Sequence, residues 1–259
     1  MQFLHYRDSH RIVKRGNLIW SLNLDEGIDL SVYLFGAFER STFRAYSDLI
    51  NPGDVVFDIG ANSGAHTLHF AQIVGNLGRV LAFEPTNYAF GRLRANLDLN
   101  SSLESRTELH QIAFASPQDV TLRTELYSSW PLNDYNNLHA THGGRLHSTT
   151  GAKFMSLDEF VNLNGIDRLD FIKLDVDGDE PRIISGALET LKRFHPSILM
   201  EWCPKLFLDP IVDSLSIQSA LTELGYGVSI VSHRGVKPSS WIIASRKLPA
   251  LGSVNLYLQ

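Results

Sequence analysis

The sequence predicts one α/β domain on a mainly parallel sheet, and three observations carry that expectation. Short apolar runs that fit buried strands recur from Val55 onward. Stretches with helical spacing separate them, the rhythm of βαβ units. The chain has 259 residues, 44% hydrophobic and 20% charged, enough for a large core without disulfides or structural metals.

Four runs read as strands covered on both faces: Val55–Gly60 (VVFDIG), Val80–Glu84 (VLAFE), Phe171–Asp175 (FIKLD) and Ile198–Trp202 (ILMEW). Ala65–Val74 and Tyr88–Leu99 follow the first two with helical spacing. After the third, Glu180–Phe194 sets Ile183, Ile184, Ala187, Leu188 and Leu191 on one helical face. Near the end, only His233–Ser240 separates Val228–Val231 from Trp241–Ala244. That gap is too short for a crossover helix, so an antiparallel hairpin is expected to close the sheet. Before Val55 the rhythm is absent. Leu18–Leu24 reads as a strand and Leu34–Ile50 as a helical cap, so residues 1–50 are expected to form an N-terminal cap segment and residues 51–259 the main domain. Ser128–Gly151 and the Pro-containing Cys203–Asp213 read as loops, the first long enough to be functional.

Bulk properties narrow the partners. A formal net charge of −5 argues against non-specific nucleic-acid binding, so no nucleic-acid partner is expected. No stretch approaches the roughly 20 apolar residues of a membrane span, and no membrane partner is expected. The single cysteine, Cys203, has no intramolecular partner, and the first residues lack an apolar leader core; both point to a cytoplasmic protein.

The strongest local signal is Asp58-Ile59-Gly60-Ala61-Asn62-Ser63-Gly64, where a strand gives way to a helix. Glycines there allow a sharp turn and close approach of a ligand, and the helix start offers free N–H groups. Glu84 ends the next strand, where a carboxylate can accept both hydroxyl hydrogens of a ribose. Both NAD and S-adenosylmethionine (SAM) contain such a ribose. Asn62 stands where a dinucleotide fingerprint has its middle glycine, and Asp58 would repel a pyrophosphate, so SAM is the expected cofactor.

These residues resemble a known family. The stretch Asn51-Pro52-Gly53-Asp54-Val55-Val56-Phe57-Asp58-Ile59-Gly60-Ala61-Asn62-Ser63-Gly64, followed by Phe83-Glu84-Pro85, is similar to the cofactor motifs of FkbM-type methyltransferases. So are Ser156-Leu157-Asp158-Glu159-Phe160 and Asp170–Glu180 (DFIKLDVDGDE), and upstream Leu34-Phe35-Gly36-Ala37-Phe38-Glu39. The resemblance runs from about Leu22 to Trp202. It implies a Rossmann-like SAM-dependent methyltransferase fold: a mostly parallel seven-stranded sheet with an antiparallel last strand and an N-terminal cap. It also implies O-methylation of a hydroxyl on a small natural product or sugar. Carried over by position, the cofactor residues are Glu39, Asp58, Gly60, Ala61, Asn62, Gly64, Thr67, Glu84, Pro85, Asn87, Ala113 and Asp175. Asp177 stands where the family usually has Glu.

The chemistry of the acceptor side is more open. Methyl transfer is an in-line displacement that positioning and desolvation can accelerate, and a hydroxyl acceptor must also lose its proton. Asp175 and Asp177 are two apart, so on a regular strand they would share a face and could serve as base. His139, with His142 and His147 in the same loop as Trp130, Tyr135 and Arg145, is the other candidate base. Lys173 shares the face of Asp175 and could pair with a carboxylate, and Glu201 is a further polar group at the rim. No metal ligands are assigned. N- or carboxylate-methylation, or a non-catalytic SAM- or nucleotide-binding role, are the alternatives.

Overall fold

A computed structural model of the chain describes residues 9–116, 123–133, 138, 143–203, 214–246 and 253–259. The chain opens with an antiparallel ribbon, β1 (His10–Arg15) and β2 (Leu18–Asn23). Alternation in β2 turns Leu18, Trp20 and Leu22 inward, and they join the core with Tyr46 and Phe70. Two short helices follow, α1 (Gly27–Phe35) and α2 (Arg40–Leu49), broken by Gly36 in the left-handed conformation. The expected single cap helix over Leu34–Ile50 is therefore only its second half.

The main sheet begins with β3 (Val55–Ile59), then α3 (Thr67–Val74), β4 (Arg79–Phe83) and α4 (Asn87–Asp98). Thr86 accepts a hydrogen bond from the Ala89 N–H, the side-chain cap that starts α4. Beyond it, β5 (Thr107–His110) ends the sheet, while β6 (Ile112–Phe114) leaves it to pair with a later strand. The stretch read as a long loop starts at the last residue of β7 (Glu125–Ser128) and contains β8 (Arg145–Ser148), which pairs with β7 as an antiparallel hairpin. Next come β9 (Lys153–Met155), the partner of β6, and α5 (Leu157–Leu163), capped by Ser156. The central strand β10 (Phe171–Leu174) leads into α6 (Glu180–Ser185) and α7 (Leu188–Phe194). Then follow β11 (Ser197–Trp202), α8 (Ser214–Glu223), β12 (Val228–Ser232), β13 (Gly235–Pro238), α9 (Trp241–Arg246) and β14 (Val254–Leu258).

The sheet order is β13-β12-β14-β11-β10-β3-β4-β5. From β11 to β5 every pairing is parallel, and β14 runs antiparallel to both β11 and β12. The chain's last strand thus runs antiparallel, as expected, and so does the edge strand β13. The short β13 adds an eighth strand at the edge. The expected hairpin is placed differently, because β12 pairs with Gly235–Pro238 and Trp241–Ala244 is helical. Trp241 packs on Trp202 and Ala244 is buried, while Ile242 and Ile243 face out, which is the spacing of a helix rather than a strand. Among the described residues no helix is long and apolar enough to cross a membrane.

The ribbon is tied to the rest by two asparagine amides, Asn96 in α4 and Asn100 just beyond its end. Asn100 accepts from the Ile19 N–H (2.9 Å) and donates to its carbonyl (2.6 Å), and Asn96 accepts from the Ser21 N–H (2.7 Å). Asn96 also donates to the Ser63 carbonyl (2.9 Å), so the edge of β2 is coupled to the turn after β3.

Candidate functional site

The turn after β3 is held from three sides. The N–H groups of Gly60 and Ala61 both donate to the Phe83 carbonyl at 3.0 Å. Asn62 takes a positive φ of 48° and its side chain accepts from the Ser63 N–H. Its own N–H donates to Glu84 Oε2 at 3.0 Å, while Glu84 Oε1 accepts from the Thr86 N–H and hydroxyl at 2.9 and 2.6 Å. Each carboxylate oxygen of Glu84 thereby has part of its accepting capacity engaged and part left over.

Gly60 has a reason to be glycine beyond its φ of 84°. A Cβ there would stand 1.8 Å from the Asp175 carbonyl oxygen, so β3 and β10 meet backbone to backbone. The Asp175 N–H extends that contact by donating to the Ile59 carbonyl at 3.1 Å. After Leu174 the strand stops, and Asp177 (φ 55°) and Gly178 (φ 111°) turn the chain. Glu180 fastens this turn, its carboxylate accepting from the Val176 and Gly178 N–H groups at 3.0 Å each. Asp175 and Asp177 therefore come together through a turn, not through the alternation of a strand as expected.

Two cavities meet at this point. The larger, about 210 Å³, is lined by Gly60, Asn62, Glu84 and Pro85 on one side and Ala113, Phe114 and Phe154 on another; β7 residues Leu126 and Tyr127 close over it. The smaller, about 50 Å³, lies between Phe38, Trp130, His66 and Lys173. Gly60, Asn62, Asp175 and Asp177 line both.

The junction is rich in carboxylates. Buried Lys173 donates to Asp175 Oδ2 at 2.9 Å. Burial alone would pull its ammonium down, but the carboxylates of Asp175, Asp58 and Glu39 outweigh it and hold the lysine charged. Burial, reinforced by Asp175, pushes Asp177 up to about 7. Burial also raises Glu180 to about 8 and, with Asp175, Glu201 to about 10. Glu84 and Asp58 are raised by burial too. A site of this sign favours a cation over a phosphate.

Of the cofactor residues expected from the sequence, Gly60, Asn62, Glu84, Pro85, Ala113 and Asp175 line the larger cavity, and Ala61 lines the smaller. Five others line neither. Asp58 is buried behind the turn, accepting from the Thr67 hydroxyl at 2.6 Å. Gly64 lets α3 approach α4, since a Cβ there would meet Leu93 at 2.7 Å. Glu39 is the first residue before α2 and accepts from the Asn255 amide at 3.2 Å. Asn87 accepts from the Gln111 amide at 2.5 Å on the outside of the larger cavity. His139 and His142, with Tyr135, lie outside the described residues. His147 stacks on Tyr88 and contacts Ser129 Oγ at 3.1 Å, but it lines neither cavity. Sequence reasoning passed over His66 and Phe38. Position was the available signal for His66, a polar residue two after Gly64 at the start of a buried helix.

A comparison with known proteins decides the family. The FkbM methyltransferase domain model matches residues 58–227. The chain belongs to the FkbM methyltransferase family. The 2-O-methyltransferase NoeI of Sinorhizobium fredii is 27% identical over 158 residues, 56% of this chain and 62% of that protein. The hexuronic acid methyltransferase AglP of Haloferax volcanii is 28% identical over 158 residues, 60% of this chain and 58% of that protein. The chain thus spans about three fifths of the curated relatives it matches. Among solved structures, an FkbM methyltransferase from Methylobacillus flagellatus shares the fold, with a TM-score of 0.52 at 17% identity over 86% of this chain and 48% of that one.

Proposed function

We propose that this FkbM protein transfers a methyl group from SAM to a hydroxyl of a sugar or a small sugar-containing product. The observation that carries the reading is the meeting of two cavities at Gly60, Asn62, Asp175 and Asp177. The larger has a carboxylate with spare accepting capacity, Glu84, at one side and an apolar slot at Ala113 and Phe114, which suits a ribose and an adenine. The carboxylates at the junction suit the positive sulfonium and ammonium groups of SAM. Gly60, Ala61, Asn62 and Asp175 would hold the methionine half, with Asp58, Thr67, Gly64, Glu39 and Asn87 supporting that wall from behind. The cofactor supplies an electrophilic methyl group when bound; the chain's own residues orient it and exclude water.

The smaller cavity is then the acceptor side. Its aromatic walls, Phe38 and Trp130, suit the apolar face of a sugar ring. Asp175, already paired with Lys173, fixes charge at the junction, and Asp177 reaches both cavities, where it can orient a hydroxyl. One relative is named as a 2-O-methyltransferase and another as a hexuronic acid methyltransferase, which supports an oxygen acceptor and, through the second, a sugar acid. The test is transfer of tritiated methyl from SAM to p-nitrophenyl hexosides and hexuronides. The reading expects labelled glycoside with one equivalent of S-adenosylhomocysteine. Binding of SAM without any transfer would support the non-catalytic alternative instead.

A further inference from the structure

Three contributions to the smaller cavity come from α1 and the residues beside it. Ile28, in its first turn, and Phe38, three residues past its end, line the cavity. The third is indirect, because the start of α1 holds Trp130 by its main chain. The Gly27 N–H donates to the Trp130 carbonyl at 2.8 Å, and the Leu132 N–H donates to the Asp25 carbonyl at 2.7 Å. Between these bonds Glu26 and Pro131 face each other as an isolated antiparallel pair. That pairing uses neither residue's N–H, so a proline costs no bond there. The Asn133 amide also donates to the Asp25 carboxylate, and the Tyr88 hydroxyl donates to Glu26 Oε1 at 3.1 Å. Tyr88 stacks on His147 with 4.3 Å between ring centroids, so the anchor reaches β8.

Trp130 lies beyond the last pair of the hairpin ladder, Ser128 with Arg145, and after Ser129, which turns the chain at a φ of 73°. Its carbonyl bond therefore goes to the cap and not to the hairpin. The indole is partly exposed and tilts against Phe38, with 5.7 Å between ring centroids. Trp130 falls inside the residues 58–227 that the family model matches, whereas Asp25–Gly27 and Phe38 fall outside them. We propose that the segment Asp25–Gly27 sets acceptor recognition: it seats Trp130 against Phe38 and so builds the aromatic wall on which a sugar ring packs. This rests on the assignment of the smaller cavity to the acceptor. Gly27 is a positioning residue, acting through Trp130. Fixing the indole before the acceptor arrives removes an ordering cost from acceptor binding, so the contribution falls on KM. The larger cavity is spared, because Leu126, Tyr127 and Ser128, which line it, are held by pairing with β8.

The test measures kcat, acceptor KM and S-adenosylhomocysteine affinity, using tritiated SAM and p-nitrophenyl hexosides. Gly27→Pro removes one N–H, and the first position of a helix tolerates proline. Leu132→Pro removes the other at an exposed position. Each is expected to raise KM about fivefold, the scale of one hydrogen bond, with kcat and S-adenosylhomocysteine affinity within about twofold of wild type. Gly27→Ala keeps the N–H, and its Cβ would meet atoms of Trp130 and Leu132 at 3.6 and 3.7 Å, ordinary contacts, so it should retain the wild-type KM. In a Trp130→Ala background Gly27→Pro should add less than about twofold, because both changes act through the same ring. A wild-type KM in Gly27→Pro, or full additivity with Trp130→Ala, overturns the proposal, as does an equal loss of S-adenosylhomocysteine affinity. Absence of transfer by wild type overturns the acceptor class instead. Protein labelled with 5-fluorotryptophan then tests the seating without any acceptor. Gly27→Pro is expected to move the Trp130 ¹⁹F resonance, assigned through Trp130→Phe, and an unmoved resonance overturns the proposal.

Discussion

The carbonyl oxygen of Asp175 occupies the space that a side chain on Gly60 would need, 1.8 Å from the position of its Cβ. The cofactor turn and the mouth of the central strand are therefore one unit, since neither can move without the other. Gly60→Ala meets both this clash and a φ of 84°. It is expected to cost about 3–5 kcal/mol of unfolding free energy, combining overpacking with backbone strain. Gly64→Ala meets only the end of the Leu93 side chain besides its own φ, and should cost about 1–3 kcal/mol. Urea unfolding of the two variants checks the order.

Glu84→Ala should weaken binding of S-adenosylhomocysteine by about 1.5–3 kcal/mol, the scale of hydrogen bonds to a charged group. The carboxylate also anchors Asn62 and Thr86, so a parallel loss of thermal stability is expected. Calorimetry of the folded variant separates the two effects. Affinity equal to wild type would remove the ribose from Glu84.

Asp177 titrates near 7, so it is mostly protonated at pH 6 and mostly ionised at pH 8. A nearby sulfonium favours the ionised form and lowers that value, so the free protein holds more protons than the complex. Binding of SAM should therefore release protons, and its affinity should rise by up to about tenfold from pH 6 to pH 8. In Asp177→Asn this part of the rise is expected to vanish. Calorimetry in two buffers of different ionisation enthalpy measures the proton release.

Lys173→Met removes the cation shared by Asp175, Asp58 and Glu39. Breaking a buried pair while leaving the carboxylates in place should cost about 3–5 kcal/mol of stability, read from the urea midpoint.

Much of this was legible in the residues. The four apolar runs at Val55, Val80, Phe171 and Ile198 became the parallel centre of the sheet because burial on both faces leaves a continuous apolar signal. Trp241–Ala244 misled because a run of four apolar residues has no period of its own; Trp202 draws in Trp241 and leaves Ile242 exposed. By sequence the Ser128–Gly151 stretch is a loop long enough to be functional that carries candidate acceptor-side bases. In the fold Ser128 and Leu146 line the larger cavity, and Ser129 and Trp130 the smaller, so one hairpin closes both. His66 escaped notice because its place in the wall of the smaller cavity exists only in three dimensions.

That division of the hairpin is testable. Trp130→Ala should raise KM for the acceptor at least fivefold and leave S-adenosylhomocysteine affinity within about threefold, whereas Leu126→Ala and Tyr127→Ala should weaken S-adenosylhomocysteine. Isothermal titration and initial-rate kinetics on the same preparations compare them. Equal effects of all three on cofactor binding would contradict the assignment of Trp130 to the acceptor side.

The most direct test is a crystal structure with S-adenosylhomocysteine bound. The account predicts the adenosine in the larger cavity, both ribose hydroxyls within hydrogen-bonding distance of Glu84, and the sulfur at the junction facing Phe38, His66 and Trp130. Adenosine in the smaller cavity, or sulfur turned away from it, would contradict the account.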